Sequence, residues 1–181
     1  MGKKIICVLM CIFVLYGCYS NNKLTNDETG NLSKIENTIE DHNDLPDLAA
    51  RSEFVLIEFH RLLNGEDYEQ ARNLYGGSYE MLEGYNPALD PSDKAGLLEA
   101  GCQFNGLMCL PVLSTKLVQV IEQHEFVYEL TFKNPDGTTF VLGPCCGADE
   151  ETMPPISTFT AHVVCETMDS CQVMDLPPYV P

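Results

Sequence analysis

The sequence predicts an α+β domain in which helices come first and an antiparallel sheet follows. Between residues 46 and 101, apolar side chains recur at helical spacing, and capping residues and glycines separate the segments. From residue 114 onward, apolar residues alternate with polar ones, as in strands that bury one face. The turn sequence Asn134-Pro135-Asp136-Gly137 lies between two such segments. We therefore expect N-terminal helices packed on one face of a sheet of four or more strands.

The first residues have the parts of an export signal. Lys3-Lys4 gives a positive start, and an uninterrupted apolar run, Ile5 to Tyr16, follows. A spanning helix needs about 20 apolar residues, so this shorter run is typical of a signal peptide. Its end, Leu15-Tyr16-Gly17-Cys18, resembles the bacterial lipobox. The resemblance implies that residues 1–17 are removed and that Cys18 carries acyl chains, such as palmitate, that hold the protein on the lipid bilayer. An ordinary signal with a chance cysteine, or a short uncleaved anchor, is the alternative.

A polar segment separates the signal from the domain. Residues 18–45 are rich in Asn, Asp, Glu, Ser and Thr and contain few large apolar side chains. Such a segment buries too little surface to offset the entropy of ordering it, so it is interpreted as a flexible tether. Leu32, Ile35 and Ile39 have helical spacing, which suits a transient helix or a partner-binding one. The folded domain is expected over residues 46–181.

Four helical segments are predicted in the first part of the domain. The longest begins at Pro46 and ends at Gly65, which is expected to take the left-handed conformation of a C-terminal cap. The others follow from capping residues and glycines: Asp67 caps a helix through Tyr75, Ser78 caps a turn with Met81 and Leu82, and Asp90-Pro91 opens a helix that Gly101 closes.

Five extended segments are predicted in the second part. In the second of them, Phe126, Tyr128, Leu130 and Phe132 alternate with polar residues and should share the buried face. Residues 143–157 have the composition of a loop. The predicted strands cover residues 114–122, 124–133, 138–142 (the hairpin partner after Gly137), 158–167 and 171–176.

The segment from Phe59 to Ala71, FHRLLNGEDYEQA, resembles the corner between the first two helices of NTF2-like domains. The resemblance implies a curved sheet wrapped around helices, with a conical pocket between them. His60, Tyr68 and Tyr128 are the candidate pocket-lining residues. The superfamily includes dehydratases, isomerases and many non-catalytic binding domains, so the fold alone does not select a function.

Six cysteines remain after Cys7, Cys11 and Cys18 are set aside, and an exported chain is expected to pair them as disulfides. Adjacent cysteines have poor geometry for bonding to each other, so Cys145 and Cys146 are expected to have different partners. The preferred pattern joins Cys102 to Cys109 and the adjacent pair to Cys165 and Cys171. A Cys165–Cys171 bridge across a tight hairpin is the main alternative. A thiolate metal site is disfavoured because zinc-type Cys-x-x-Cys pairs are missing.

No catalytic residue is assigned from the sequence. It contains no His-x-x-x-His metal pair, no Gly-x-Ser-x-Gly elbow and no phosphate loop, and we expect neither a metal nor a cofactor. An acid–base group built from His60, Asp67 or Tyr68 is conceivable. Helix capping by Asp67 and core packing by Tyr68 explain these residues more simply. The other histidines are His42 in the tether, His124 at the start of a strand, and His162 on the polar side of another.

Charge and anchor together define the expected function. The net charge is −17, and losing Lys3 and Lys4 with the signal takes it to −19, so nucleic acid is excluded as a partner. We expect a lipid-anchored protein on the extracytoplasmic face of the cell envelope. Its domain would act as a non-catalytic binding or accessory module for a small apolar ligand or an envelope protein. The alternatives are an NTF2-like dehydratase or isomerase acting on a small apolar substrate, and a structural accessory without a ligand.

Overall fold

A computed structural model describes residues 44–180 and confirms the α+β class, with helices preceding a curved, open sheet of four antiparallel strands. The predicted signal peptide, Cys18, the tether up to residue 43 and His42 lie outside the described residues. No helix within residues 44–180 has the length and hydrophobicity to cross a membrane. The elements are α1 (Asp44–Asn64), α2 (Tyr68–Leu74), α3 (Glu80–Tyr85), α4 (Lys94–Gln103), β1 (Val112–Ile121), β2 (Glu125–Phe132), β3 (Phe159–Thr167) and β4 (Ser170–Val173).

Helix α1 begins before its predicted start and ends by a different cap. Its first residue is Asp44, so Pro46 lies in the first turn, where its missing N–H costs no intrahelical hydrogen bond. At the other end Glu66, and not Gly65, has the left-handed conformation, with φ of 61°. The backbone N–H of Asp67 donates to the Leu62 carbonyl at 2.9 Å, and that of Glu66 donates to Leu63. This is a Schellman cap shifted one residue past the glycine.

The short helices confirm one predicted cap and correct another. The Asp67 carboxylate accepts from the Gln70 N–H, as predicted for the start of α2. In contrast, α4 begins after Asp93, whose side chain accepts from the Gly96 N–H, and not at Asp90-Pro91. Asp90 instead accepts hydrogen bonds from the backbone and hydroxyl of Ser92 in the preceding turn.

Gly101 does not close α4, because it lies inside the helix. A Cβ at this position would approach side-chain carbons of Leu107 and Leu82 at 2.8 and 2.9 Å. The glycine therefore permits close packing of α4 against its neighbours.

The sheet has the strand order β1-β2-β3-β4, and every neighbouring pair is antiparallel. The turn between β1 and β2, residues 122–124, places Glu122 and Gln123 in the left-handed region, and the His124 N–H donates to the Ile121 carbonyl at 3.2 Å. Positive φ at both central residues is typical of a type I′ turn. The predicted face of β2 is confirmed, since Phe126, Tyr128, Leu130 and Phe132 are all buried. The last strand is shorter than predicted and ends at Val173.

Residues 138–142 do not form the predicted strand. The turn before them is present, with a hydrogen bond from the Gly137 N–H to the Asn134 carbonyl and φ of 91° at Gly137. However, β3 pairs with β2 as far as Leu130, so only the end of β2 remains available. The returning chain makes a hydrogen bond from Phe140 to Phe132 and a single bridge between Lys133 and Thr139.

Two disulfides stabilise the domain. The Cys102–Cys109 bridge is present as predicted, and it joins the end of α4 to the segment before β1. The expected bonds from Cys145 and Cys146 to Cys165 and Cys171 are wrong. Cys165 bonds to Cys171 instead, because the two residues are directly opposed in the β3–β4 hairpin, with Cα atoms 4.0 Å apart. Cys145 and Cys146 are left unbridged.

Candidate functional site

The concave face of the sheet, where the NTF2-like resemblance implies a pocket, is filled by the chain's own side chains. The inward-facing residues of β2 and the apolar residues of α1 belong to one buried cluster. In the same cluster, the aromatic ring of Tyr75 stacks on that of Phe59, with centroids 5.6 Å apart. Such packing excludes water as the interior of a globular protein does. The fully buried residues of this interface are Val55, Leu56, Phe59, Leu63, Phe126, Tyr128, Leu130 and Phe132.

His60 belongs to this interior. It is 2% exposed, and its ring meets the edges of Phe59 and Phe132, with centroids 5.3 and 4.9 Å away. Its Nδ1 atom has no hydrogen-bond partner within residues 44–180. Burial lowers the pKa of His60 to about 3. The imidazole is therefore neutral near pH 7 and is a core residue without the solvent access that a general base needs.

The Tyr128 hydroxyl serves the same interface. It lies 2.6 Å from the Ser52 hydroxyl, and the Ala49 carbonyl oxygen lies 3.0 Å from the Tyr128 hydroxyl and 2.8 Å from that of Ser52. The two hydroxyl protons supply two of these three hydrogen bonds at a time. Burial raises the pKa of Tyr128, while the hydrogen bond with Ser52 opposes that rise. The arrangement ties β2 to the first half of α1 and satisfies two hydroxyls that would otherwise be buried without partners.

Tyr68 lies elsewhere, in a shallow cleft of about 320 Å³ between α2 and α4. The cleft is acidic, but Asp67 and Asp93 accept hydrogen bonds from the helix starts, which explains their presence without a ligand. No group of side chains suited to a metal ion occurs within residues 44–180. Tyr68 therefore does not share a site with His60 or Tyr128. The remaining acidic residues of the cleft are Glu66, Glu69 and Glu99.

One histidine–carboxylate pair was not predicted from the sequence. His162 Nδ1 lies 2.8 Å from Asp175 Oδ2, and the same carboxylate accepts from the His162 backbone N–H at 2.6 Å. A carboxylate that orients a histidine is one part of a nucleophilic site. Among the described residues, however, no serine, threonine or cysteine side chain hydrogen-bonds to His162. The pair instead joins β3 to the chain that leaves β4.

Strand β1 forms one of the two edges of the sheet, and this edge is exposed. Within residues 44–180, β1 pairs only with β2, so its other side carries backbone N–H and C=O groups without partners there. The strand also exposes several apolar side chains over its ten residues, with a bulge where the register shifts between Leu117 and Gln119. The exposed apolar residues of this open edge are Leu113, Leu117, Val118 and Val120.

The other edge, β4, is short and covered. The Gly76 N–H donates to the Val173 carbonyl at 2.9 Å, and Tyr75 forms a parallel bridge with the same residue. Proteins commonly protect sheet edges by shortening or covering them. Within residues 44–180, β1 is neither short nor covered by another segment, so it is the candidate functional surface of the described residues. The valines and leucines of β1 were visible in the sequence, but their position at an edge was not.

Comparison of the chain with protein-family models, curated proteins and solved structures gives no match. The chemistry of the molecule is therefore inferred from its own side chains. The three features of the described residues that bear on function are a filled interior, an open strand edge and a cysteine pair on an exposed loop.

Proposed function

We propose that the chain is a bacterial lipoprotein whose NTF2-like domain acts as a non-catalytic binding or accessory module in the cell envelope. Cys18 would hold it on the extracytoplasmic face of a membrane through its acyl chains. The domain would bind an envelope protein through the open edge of β1.

The filled concave face is the observation that carries this proposal. A small-molecule enzyme needs a concave site with convergent polar groups. In this domain, the candidate groups are used internally: His60 is enclosed by aromatic rings, and the Tyr128 hydroxyl is hydrogen-bonded to Ser52 and Ala49. These contacts favour an interaction module over the dehydratase or isomerase alternative, and a protein partner over a small apolar ligand.

The open edge supports a partner that binds as an extended segment. Addition of a strand to an edge satisfies its free backbone groups, and apolar side chains along the edge add contact area. Both features occur in β1, whereas β4 is covered. Lys116 is the one basic residue of β1, and its ammonium group lies 3.6 Å from a Glu129 carboxylate oxygen. The apolar residues of β1 thus form the main contact surface.

Photo-crosslinking in cells that naturally produce the chain tests the open edge. A photoreactive residue replaces either Val118 in β1 or Met168 in the β3–β4 turn, two side chains that are each 44% exposed. We expect a discrete protein adduct at position 118 and none at position 168. A further Leu117→Lys substitution should remove the adduct, since it replaces an apolar contact with a charge that, unlike Lys116, has no carboxylate opposite it in β2. Equal adducts at both positions, or none at position 118, would overturn the edge assignment.

Binding of an apolar fluorophore, anilinonaphthalene sulfonate, tests the filled interior. The wild-type chain should show no saturable binding at neutral pH. The matched variant Leu130→Ala opens a small cavity in the interior and should bind benzene or xenon, which the wild type should not, because an empty apolar cavity of this size admits only such small ligands. Stoichiometric binding by the wild type would instead favour a ligand-binding cone and would contradict the proposed module.

Metabolic labelling with a radioactive fatty acid tests the anchor. The wild-type chain should take up label and fractionate with membranes, and Cys18→Ser should do neither. Cys145→Ser is the matched control and should be labelled as fully as the wild type. Equal labelling of the Cys18→Ser chain would show that the lipobox interpretation is wrong.

A further inference from the structure

Cys145 and Cys146 are the cysteines of the domain that the two bridges do not use. Their Sγ atoms lie 2.8 Å apart, with the Cys146 thiol directed at the sulfur of Cys145. The other four cysteines are already bonded in pairs. Within residues 44–180, each of these two thiols therefore has only the other as a cysteine partner.

The pair stands on an exposed loop. Cys146 is exposed and Cys145 is partly exposed, whereas Cys165 and Cys171 are buried. A Cβ added at Gly143 or Gly147, on either side of the pair, would meet no atom within 4 Å, so the loop extends into open space. A dissolved disulfide or a redox protein can therefore reach the sulfurs, which is the main requirement for exchange.

The backbone of the loop forms a turn at the cysteine pair. Cys146 and Gly147 have positive φ values of 60° and 90°, and one backbone hydrogen bond, from Ala148 to the Cys145 carbonyl, closes the turn. A bond between these two cysteines would lie on an exposed loop, whereas the Cys165–Cys171 bridge is buried. Exposed disulfides are more accessible to a reductant, so this bond would be easier to reduce than the buried bridge.

We propose that Cys145 and Cys146 form a redox site that alternates between a dithiol and a disulfide joining the two adjacent residues. The oxidant is a disulfide, either of the glutathione class or on a thiol oxidoreductase. The reductant is the corresponding thiol. This inference goes beyond the proposed function and requires neither the anchor nor the open edge of β1.

The reaction is ordinary thiol–disulfide exchange. The Cys146 thiol loses its proton to solvent, and the thiolate attacks one sulfur of the oxidant, whose other sulfur leaves as a thiolate. The Cys145 thiolate, after losing its own proton, displaces the oxidant from the mixed disulfide. One sulfur–sulfur bond has formed in the protein and one has broken in the oxidant, which accepts two electrons and the two protons. Reduction is the reverse sequence.

Redox titration with mass mapping tests the proposal. The full chain, purified in detergent, is equilibrated in glutathione buffers of graded ratio, quenched in acid, alkylated and digested without reduction. As the buffer becomes more oxidising, the peptide with Cys145 and Cys146 should lose both alkyl groups in one transition and have a mass two hydrogens below that of the unalkylated dithiol. The Cys102–Cys109 and Cys165–Cys171 bridges should remain intact in every buffer, which also shows that the domain is folded.

Two single substitutions provide the controls. Cys145→Ser and Cys146→Ser each remove the internal partner, so the remaining thiol should accumulate as a mixed disulfide with glutathione. In the wild type, that species should be at least about tenfold less abundant, because the second cysteine displaces it. Two alkylated thiols at the most oxidising ratio would overturn the proposal. Stable mixed disulfides in the wild type, or bonds to other cysteines or to a second chain, would also overturn it.

Discussion

The two edges of the sheet are built in opposite ways. At β4 the strand has four residues, a hydrogen bond from Gly76 covers it, and the Cys165–Cys171 bridge joins it to β3. At β1 the strand has ten residues, four of its six apolar side chains are exposed, and its outer side has no strand partner within residues 44–180. An uncovered edge invites strand addition, and a covered edge prevents it. The difference indicates that β4 contributes to stability, whereas β1 is the edge that the proposed partner would use.

Acid titration tests the buried interface between α1 and the sheet, which lies between the two edges. Burial lowers the folded-state pKa of His60 to about 3, below its unfolded value of 6.5, so the unfolded state binds more protons. The contribution of His60 to stability is therefore complete above about pH 6.5 and decreases as the pH falls toward 3. We expect a loss of about 3 kcal/mol by pH 4, measured by urea unfolding.

His60→Leu is the matched variant for this titration. It removes the titrating ring and the unpartnered Nδ1 atom at similar volume, so it should unfold with nearly wild-type stability at pH 7. Carboxylates titrate in both proteins, and the difference between the two curves isolates His60. Parallel curves from pH 7 to pH 4 would mean that His60 takes up its proton as readily in the folded state as in the unfolded state.

Removal of the Cys165–Cys171 bridge tests how much the closed edge depends on its covalent bond. The double variant Cys165→Ala, Cys171→Ala should lose about 2–3 kcal/mol of unfolding free energy, because the unfolded chain is no longer constrained. The matched variant Cys145→Ala, Cys146→Ala should change stability by less than about 0.5 kcal/mol, since both residues lie on an open loop. Equal losses in the two variants would contradict the assignment of a structural bridge at β4.

The same substitution at each edge makes the comparison direct. Val173→Ala in β4 removes two buried methyl groups and should cost about 2 kcal/mol in urea unfolding. Val118→Ala in β1 removes methyl groups that are largely exposed and should cost about 0.5 kcal/mol or less. If both variants lost the same stability in the isolated chain, β1 would be covered in solution.

The glycine beside β4 gives the smallest expected effect. A Cβ at Gly77 would collide with the Met174 carbonyl oxygen, so Gly77→Ala should destabilise the fold by about 1–2 kcal/mol through a backbone shift. At Gly84, inside α3, no atom lies within 4 Å of an added Cβ, and alanine should be neutral or stabilising. A thermal melt of both variants measures the difference, and a stable Gly77→Ala chain would show that the covering segment is loose.

The candidate pocket residues show how far sequence reasoning reaches. The alternation in β2 correctly placed Tyr128 on the buried face, and Asp67 was correctly interpreted as a helix cap. Neither pattern shows whether a buried aromatic residue lines a pocket or fills it, because that depends on the shape of the facing helix. His60 is an example. Its neighbours along the chain indicated an apolar environment, but the contact with Phe132 that helps to enclose its ring joins α1 to β2 and could not be read from the sequence.

Errors in the element boundaries have a similar cause. Gly65 was the expected left-handed residue, yet the hydrogen bonds of the helix end place Glu66 there. Residues 138–142 had strand-like composition, but β3 occupies the side of β2 on which they would pair. In both cases, the local preference was reasonable and a neighbouring contact overruled it.

The sequence by itself determined the features that depend on a few neighbouring residues. These are the change from helical to alternating period, the Asp67 cap, the turn at Asn134–Gly137 and the short-range Cys102–Cys109 pair. Tertiary structure decided which strand lies at an uncovered edge, which cysteines remain unbonded, and that the concave face is filled. The physical reason is range: backbone period and capping act within a turn or two, whereas strand order, bridge choice and packing depend on contacts between residues far apart in the chain.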